Sequence, residues 1–400
     1  MFLALTILCP TFDTRSVKAT TAIYINVDGS ISPPDAPILN HDSVTYTLTA
    51  NLDNSIVVQR SNIILEGANH TVLGDGTANG FSLQNVVNAT VKNVRIEGCF
   101  DGIQLFNSSS NVIVGNIVIG NSYEGVGVYY SSGNTITGNR ITNNQIGLAF
   151  YDSSSNSVVH NDFVNNTYQV YTESSANNWD NGYPSGGNYW SDYNGTDSLK
   201  GPDQNQPGSD GIGDTPYNVS ENNQDRYPLM QNWANMAITA ISSSKTAVDQ
   251  GQKVNITIIV QNQGWDAETT SVTLYANTTI LSSFTNIALS GRTQTTLTYT
   301  WQTASFDKAK YVINAKATTI PGETDTRDNT LVYSKTISIT IVADLNGDEI
   351  VDIYDAIILA AAYSSVPTSP NWNGNADINS DNVVDIYDAI ILANNYGKKI

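Results

Sequence analysis

A repeat of 22 or 23 residues runs through the middle of this chain and limits the folds that it can adopt. Aligning DGIQLFNSSSNVIVGN, EGVGVYYSSGNTITGN and IGLAFYDSSSNSVVHN places Gly102, Gly125 and Gly147 in one column, at intervals of 23 and 22 residues. Short alternating β segments at such an interval are typical of a solenoid, in which each turn pairs with its neighbours. We therefore predict a right-handed parallel β-helix in a mainly β protein.

The columns of the repeat have physical reasons. Residues one and three positions after each glycine are apolar, and strand alternation directs them into the core. Two asparagine columns keep the same interval, and their amides are expected to hydrogen-bond from turn to turn. The columns are Asn88, Asn111, Asn134 and Asn156, and Asn93, Asn116, Asn139 and Asn161. We interpret these asparagines as structural rather than catalytic.

The charge balance and the amino terminus indicate where the protein acts. A net charge of -19 repels nucleic acid and anionic membranes and favours cations as partners. Residues 1–19 contain an apolar stretch and end at Ala19, which predicts a signal peptide and a secreted, extracellular or cell-surface protein. Its removal would leave Cys99 without a disulfide partner, and no later apolar run reaches the ~18 residues that span a bilayer.

The chain also carries eight Asn-x-Ser/Thr acceptors, and we predict glycosylation at fewer than half of them. These are Asn69, Asn88, Asn107, Asn165, Asn194, Asn218, Asn255 and Asn277.

The repeats resemble those of the NosD-type family of right-handed β-helices, whose name comes from a periplasmic copper-processing protein. The segments GGNYWSDYNGTD and DGIGDTPYNVSENNQDRYPLM, from Gly186 to Met230, resemble the terminal cap of secreted archaeal members. The resemblance implies a capped β-helix over residues 20–235. Copper handling is not expected, because copper sites need clustered His, Cys or Met, and these residues are scattered here.

Two carboxylates in the repeat are the best candidates for catalysis. Asp101 and Glu124 precede two of the aligned glycines, so we expect them about 4.8 Å apart on adjacent turns. Cleavage of a polysaccharide needs such carboxylates, or a metal-held base, beside a cation. The next turn has Ile146 in this column, and no Arg or Lys column accompanies the pair. The sequence therefore favours two solvated or Ca²⁺-bridged carboxylates without a catalytic role.

A column of aromatic residues predicts a binding surface. Phe106, Tyr129 and Tyr151 lie four residues after the glycines, at outward positions. Exposed rings at strand spacing offer a surface for the apolar faces of sugars. The alternative is a column of rings that packs under a loop or against the next domain.

The repeat ends before residues 236–341, where β-branched alternation predicts an immunoglobulin-like β-sandwich. This segment resembles the CARDB family of cell-adhesion-related domains, whose late PGETDTRDNT turn is matched from Pro321 to Thr330. The resemblance implies a module that spaces or presents other modules.

The end of the chain repeats an acidic loop at an interval of 33 residues. Each copy supplies oxygen donors at loop positions 1, 3, 5, 7, 9 and 12, which is the pattern of an EF-hand calcium loop. The predicted ligands are Asp344, Asn346, Asp348, the Ile350 carbonyl, Asp352 and Asp355, and then Asp377, Asn379, Asp381, the Val383 carbonyl, Asp385 and Asp388. We therefore predict two bound Ca²⁺ ions.

Position six of the loop distinguishes the two copies. This position needs a left-handed backbone. Asn382 adopts that conformation more readily than Glu349, by a free-energy difference on the order of 1 kcal/mol. The sequence alone therefore predicts tighter calcium binding in the second loop.

A helix follows each loop, as VDIYDAIILAAAYS and VDIYDAIILANNYG, and none precedes it. This duplication over residues 342–400 resembles the type I dockerin domain. The resemblance implies docking to a cohesin-like or other surface protein through loop positions 10 and 11, which are Ile353, Tyr354, Ile386 and Tyr387 here. Near-identical pairs in both copies would allow two docking orientations.

Two functions remain open from the sequence. The favoured one is a secreted, non-catalytic protein with a β-helix that contacts surface carbohydrate, a spacer and a calcium-loaded docking module. The alternative is a polysaccharide lyase or glycoside hydrolase that its dockerin targets, since many dockerin carriers degrade polysaccharides.

Overall fold

The computed structural model describes residues 22–399, so the predicted signal peptide lies outside the described residues. The first part is a parallel β-solenoid of three sheets. The first sheet contains Ile31–Ser32, Ile23–Ile25, Ile56–Val58, Phe81–Gln84, Ile103–Phe106, Glu124–Tyr129, Ile146–Tyr151 and Tyr168–Glu173. The second contains Ile38–Asn40, Thr45–Leu48, Ile64–Glu66, Thr90–Lys92, Val112–Val114, Thr135–Thr137 and Ser157–Val159. The third contains Thr71–Leu73, Arg95–Glu97, Ile117–Ile119, Arg140–Thr142, Asp162–Val164 and Tyr189–Trp190.

Neighbouring turns pair in the register that the glycine column predicts. Ile103 pairs with Val126, and Val126 pairs with Leu148 on the following turn. All three side chains are fully buried. The solenoid core is therefore one continuous stack of apolar side chains, because each strand contributes its inward residues to the same column.

Buried asparagines link the turns through hydrogen bonds. Asn139 donates from Nδ2 to Asn161 Oδ1 at 3.0 Å and to the carbonyl of Ile113 at 2.8 Å. Its Oδ1 accepts from the backbone N–H of Asn116 at 3.0 Å. A buried amide without such partners would destabilise the fold, so the ladder is structural, as the sequence indicates.

The structure corrects the start of both predicted columns and adds a third one. Ala89 and Val94, rather than Asn88 and Asn93, occupy the turn before Asn111 and Asn116, because their backbone N–H groups donate to those amides. The third ladder consists of Asn121, Asn144 and Asn166. It keeps the same intervals of 23 and 22 residues, so this ladder could have been predicted from the sequence.

Two small hairpins and several aromatic rings close the end of the solenoid. The hairpins pair Leu199–Lys200 with Gln206–Pro207 and Tyr217–Ser220 with Asn223–Asp225. Trp190 is buried between Phe163, at a centroid distance of 4.5 Å, and Tyr217, at 4.3 Å. These rings cover the last turn, whose apolar core would otherwise face water.

Two sheets form the sandwich that follows, and their strands pair antiparallel except Ala247–Asp249, which pairs parallel with Thr330–Thr340. One sheet contains Met236–Ser243, Lys253–Asn262 and Gln294–Gln302. The other contains Ala247–Asp249, Thr330–Thr340, Ala309–Ala317, Glu268–Ala276 and Thr279–Leu289, and a 3-10 helix covers Thr303–Ser305. Trp301 is fully buried against Phe306 and Tyr311.

Two ten-residue helices end the described chain, α1 (Ile353–Ala362) and α2 (Ile386–Asn395). Their apolar core includes Leu359, Leu392 and Val384. Within residues 22–399, no helix is long and apolar enough to cross a membrane. The predicted fold class, a parallel β-helix followed by a β-sandwich and a small two-helix module, is confirmed.

Candidate functional site

The two candidate carboxylates of the solenoid lie on adjacent turns and are buried. Asp101 is 1% exposed and Glu124 is 0% exposed. The backbone N–H of Glu124 donates to Asp101 Oδ1 at 3.2 Å. Burial raises the pKa of both carboxyl groups, and it raises that of Glu124 to about 7. The carboxylates are therefore not solvated, in contrast to the expectation from the sequence.

Two phenols hold the Glu124 carboxylate, one from its own turn and one from the next turn. Tyr129 donates to Oε2 at 2.8 Å, and Tyr151 donates to Oε1 at 2.9 Å. Burial and the hydrogen bond to Glu124 both raise the pKa of Tyr129, so its phenol stays protonated. The Glu124 side chain lies across Gly127, where a Cβ would overlap Oε2. Gly127 therefore provides the space that this arrangement needs.

The aromatic column differs in part from the predicted ladder. Tyr129 and Tyr151 stack with centroids 4.7 Å apart and an angle of 6° between ring planes. Tyr171 continues the column with its ring centroid 5.4 Å from that of Tyr151 and its plane tilted by 41°, and the repeat alignment did not predict it. Phe106 pairs in register with Tyr129, but its ring packs edge-on against Tyr130. The two stacked tyrosines turn one face toward each other and their hydroxyls toward Glu124, so both rings are half-buried.

Three basic side chains of the solenoid form ion pairs or hydrogen bonds away from this cluster. Lys92 pairs with Glu66 at 3.2 Å, and Arg95 pairs with Glu97 at 2.8 Å, on the second and third sheets. Arg60 donates to the carbonyl of Val27 at 2.7 Å. Elimination at an acidic sugar needs a cation beside the base, and the residues described around Glu124 do not provide one.

Both acidic loops at the end of the chain curl around a pair of buried carboxylates. In the first loop, Asp344 is 2% and Asp355 is 0% exposed. Asp344 accepts from the backbone N–H of Gly347 at 2.8 Å and of Glu349 at 2.8 Å. Asp355 accepts from the N–H of Leu345 at 2.7 Å. The buried pair of the second loop, Asp377 and Asp388, accepts equivalent bonds.

The ninth and twelfth loop residues also start the helices. Asp352 and Asp385 are the N-caps of α1 and α2, and each forms a capping box with the acidic residue three positions later. Such caps stabilise a helix by about 1 kcal/mol each. Glu349 and Asn382 at position six have φ angles of 75° and 68°. Both are left-handed, as the sequence predicts.

The residues of the loops fit a hard cation. Within residues 22–399, no group of three or more His, Cys, Asp or Glu side chains forms a metal cluster. The loops instead combine two buried carboxylates with exposed donors such as Asn346, Asp348 and the Ile350 carbonyl. Mixed carboxylate, amide and carbonyl oxygens at these loop positions are the donor set that Ca²⁺ prefers.

The residues predicted to bind a partner are exposed on both helices. Ile353 and Tyr354 are 54% and 63% exposed, and Ile386 and Tyr387 are 53% and 62% exposed. Ile357 and Ile390 lie one turn further along and are also exposed, although the sequence analysis did not include them. Their spacing of four residues from the first isoleucine would have identified them. The two helices therefore present equivalent apolar surfaces.

Fold and sites together define a modular protein that combines a β-solenoid, a β-sandwich and a duplicated loop-helix module. Three family models match these parts in order. They are "Periplasmic copper-binding protein (NosD)" over residues 16–195, CARDB over residues 234–345, and "Dockerin type I domain" over residues 342–395. The NosD, CARDB and dockerin resemblances drawn from the sequence are thus confirmed, and the NosD match ends at residue 195, within the predicted cap. Dockerin type I domains generally bind calcium, and a dockerin implies a cohesin-type partner.

The copper named in the NosD description does not fit the solenoid. Cys99 is buried, and burial raises the pKa of its thiol to about 11. His160 bonds through Nε2 to the carbonyl of Ser185 at 2.9 Å, so it is already engaged. A copper site needs several His, Cys or Met side chains together.

Two solved structures resemble parts of the chain. The CARDB domain of a Pyrococcus furiosus protein, in complex with di-metal ions, is 20% identical with a TM-score of 0.25, over 28% of this chain and 98% of that one. A Paenibacillus cycloisomaltooligosaccharide glucanotransferase is 16% identical with a TM-score of 0.21, over 32% of this chain and 18% of that one. Neither score supports a functional argument. No curated protein matches the chain.

Proposed function

We propose that this chain is a secreted, non-catalytic modular protein that docks on a cohesin-type partner and presents a carbohydrate-binding solenoid. One observation carries the docking role. The apolar surfaces of α1 and α2 have nearly equal exposure, at 63% for Tyr354 and 62% for Tyr387. Exposed apolar surfaces of this kind mark interaction sites, and their duplication supports docking in either of two orientations.

Calcium completes the docking module in this proposal. The first ion binds Asp344, Asn346, Asp348, the Ile350 carbonyl, Asp352 and Asp355, and the second binds Asp377, Asn379, Asp381, the Val383 carbonyl, Asp385 and Asp388. Each ion neutralises carboxylates that the fold brings together, and the loop then holds the start of the following helix. The small apolar core of the module supports this role, because such cores often need a metal to fold.

The tyrosine cluster of the solenoid binds carbohydrate in this proposal. Tyr129, Tyr151 and Tyr171 supply ring edges and hydroxyls, and exposed Phe106 supplies an apolar surface on the neighbouring turn. Asp101 and Glu124 contribute buried carboxyl groups to the cluster, and no basic side chain is described beside it. Without a cation to pair with a sugar carboxylate, the cluster favours neutral rather than acidic polysaccharides.

Polysaccharide cleavage is the second candidate, and one observation favours it. Glu124 is a buried carboxyl group with a pKa of about 7 beside Asp101, as general acids and bases in enzymes often are. Its two oxygen atoms are engaged by Tyr129 and Tyr151, however, and the side chain does not reach solvent. We therefore favour a non-catalytic, structural Glu124.

Incubation of the calcium-loaded protein with a panel of neutral and acidic polysaccharides tests both functions. Retention on a neutral polysaccharide without new reducing ends or unsaturated products is the expected result. Retention should fall when Tyr171 is replaced by Ala. Tyr168→Ala provides a matched control, because Tyr168 is another exposed tyrosine of the same strand. Product formation that Glu124→Gln abolishes would establish the enzyme instead.

A further inference from the structure

One segment of the sandwich, residues 244–249, contacts both acidic loops. On the second loop, Lys245 Nζ donates to the backbone carbonyl of Asp377 at 2.6 Å and to Ser380 Oγ at 3.1 Å. Asn375, just before that loop, accepts from the backbone N–H of Thr246 at 2.8 Å. The ammonium group of Lys245 therefore lies beside the first ligand position of the second loop.

The same segment places a carboxylate beside the first loop. Asp249 lies beside the backbone N–H of Ala343, which directly precedes ligand Asp344. Lys245, Asp249 and Asp344 line one narrow crevice between the sandwich and the loops. The sandwich thus adds a negative charge near the first loop and a positive charge near the second.

The charges of the sandwich distinguish two loops that are otherwise almost the same. All six ligand positions carry the same residue types in both copies, apart from the carbonyl donors Ile350 and Val383. A charge beside a bound cation changes the affinity of the site for that cation, and the effect grows where the charge is shielded from solvent. The Lys245 ammonium lies 2.6 Å from the backbone carbonyl of Asp377, so its positive charge lies beside a ligand residue of the second loop.

We infer that Asp249 and Lys245 of the sandwich set the order of calcium affinity, so that the first loop binds Ca²⁺ more tightly than the second. The inference rests on the proposed calcium binding. Lys245 is a positioning residue, since it acts through the second loop and does not ligate the ion. The order is the reverse of the one that position six alone predicts.

Magnitudes decide between the two effects. Glu349 is less tolerant of the left-handed conformation than Asn382. This difference lowers the calcium affinity of the first loop relative to the second by about fivefold. Each charge of the sandwich, partly screened at this depth, changes the affinity of its loop by about fivefold. Lys245 and Asp249 also act on each other across the crevice, but Lys245 lies nearer the second loop and Asp249 nearer the first. Both charges therefore favour calcium in the first loop, and together they outweigh the difference at position six.

Hydrogen exchange of the full chain, measured by mass spectrometry over a range of free Ca²⁺, reports each loop separately. Peptides that cover residues 344–355 and 377–388 report the two loops. For each loop, the calcium midpoint is the free Ca²⁺ concentration at which half of the change in exchange has occurred, and no calcium ligand has to be mutated to measure it. We expect the midpoint of the first loop at the lower calcium concentration. Lys245→Gln should lower the midpoint of the second loop about fivefold, and Asp249→Asn should raise that of the first about fivefold.

The double variant Lys245→Gln/Asp249→Asn gives the sharpest result, because only the difference at position six remains and the second loop should then bind more tightly. Lys253→Gln is the matched control, since Lys253 is an exposed lysine of the same domain that pairs with Gln302 through its strand. It should leave both midpoints unchanged.

Three outcomes would overturn the inference: equal midpoints in the wild type, a second loop that responds first, or midpoints that Lys245→Gln and Asp249→Asn do not change. A wild type in which neither loop responds to calcium would overturn the proposed calcium binding itself.

Discussion

Tyr129 donates a hydrogen bond of 2.8 Å to the carboxylate of Glu124, five residues earlier in the same strand. Tyr151 completes the clamp from the next turn at 2.9 Å, so one carboxylate joins two turns on the outer face of the solenoid. The clamp explains how a carboxyl group with 0% exposure remains satisfied, since both of its oxygen atoms accept a hydrogen bond. It also fixes the tyrosine hydroxyls, which the proposed carbohydrate site uses.

The first prediction concerns the pH dependence of stability. Burial raises the pKa of Glu124 from 4.5 to about 7, so the folded state binds this proton more tightly than the unfolded state. The contribution of this group to the free energy of unfolding is therefore complete below about pH 4.5 and decreases as the pH rises to about 7. Glu124→Gln cannot ionise and should remove this component, which is up to about 3 kcal/mol.

Urea unfolding of the wild type and Glu124→Gln at several pH values between 4 and 8 measures this component. The difference in free energy of unfolding between the two proteins should change in favour of the variant as the pH rises. A difference that stays constant would show that Glu124 does not titrate in this range.

The second prediction tests the space above Gly127. Gly127→Ala places a Cβ where Glu124 Oε2 lies, so the carboxylate must move and lose its tyrosine partners. We expect a loss of about 1–3 kcal/mol in the free energy of unfolding, because a buried charged group then lacks its hydrogen bonds. A double-mutant cycle with Glu124→Ala separates the effects. The alanine at 127 should cost much less in the Glu124→Ala background, and additive losses would contradict the clamp.

The third prediction concerns the asparagine ladder. Asn139→Ala removes hydrogen bonds to Asn161 and to the carbonyl of Ile113 in the solenoid core, and it leaves the N–H of Asn116 without an acceptor. We expect a loss of about 2–4 kcal/mol in the free energy of unfolding. Asn194→Ala, at an exposed position of the cap, should change it by less than about 0.5 kcal/mol. Similar losses in both variants would contradict a structural ladder.

The fourth prediction concerns the two docking surfaces. The variants Ile353→Ala/Tyr354→Ala and Ile386→Ala/Tyr387→Ala each remove one surface, and the other remains exposed on the second helix. Each variant should weaken binding to a cohesin partner by only about twofold, because half of the docking orientations remain. The combined variant should lose more than about 100-fold, since aromatic anchors dominate such interfaces.

Surface plasmon resonance on the calcium-loaded protein measures these affinities. Val366→Ala is the control, because Val366 is an exposed apolar residue of the same module outside both helices. A complete loss of binding in either single-surface variant would show that the protein docks in one orientation only.

Local and periodic features of the fold could be predicted from the sequence. The interval of the glycine column fixes which residues face the solenoid core, because strand alternation and the length of a turn leave little choice. The acidic loops follow from the order of their residues, since neighbouring positions in the chain supply every ligand. Asn88 and Asn93, which were assigned to the wrong positions, show the limit of this reasoning. A difference of one residue in the length of a turn changes which side chain enters the ladder.

The tertiary structure alone decided which distant charges meet. Lys245 reaches the carbonyl of Asp377 across 132 residues of sequence, and Asp249 meets the start of the first loop from the same strand segment. Nothing in the loops themselves indicates these neighbours, because their position depends on how the sandwich packs against the module. The sequence by itself therefore determined that the chain contains two nearly equal loops. Packing decided that Lys245 lies beside the second loop and Asp249 near the first, because which charges meet depends on distance in space and not along the chain.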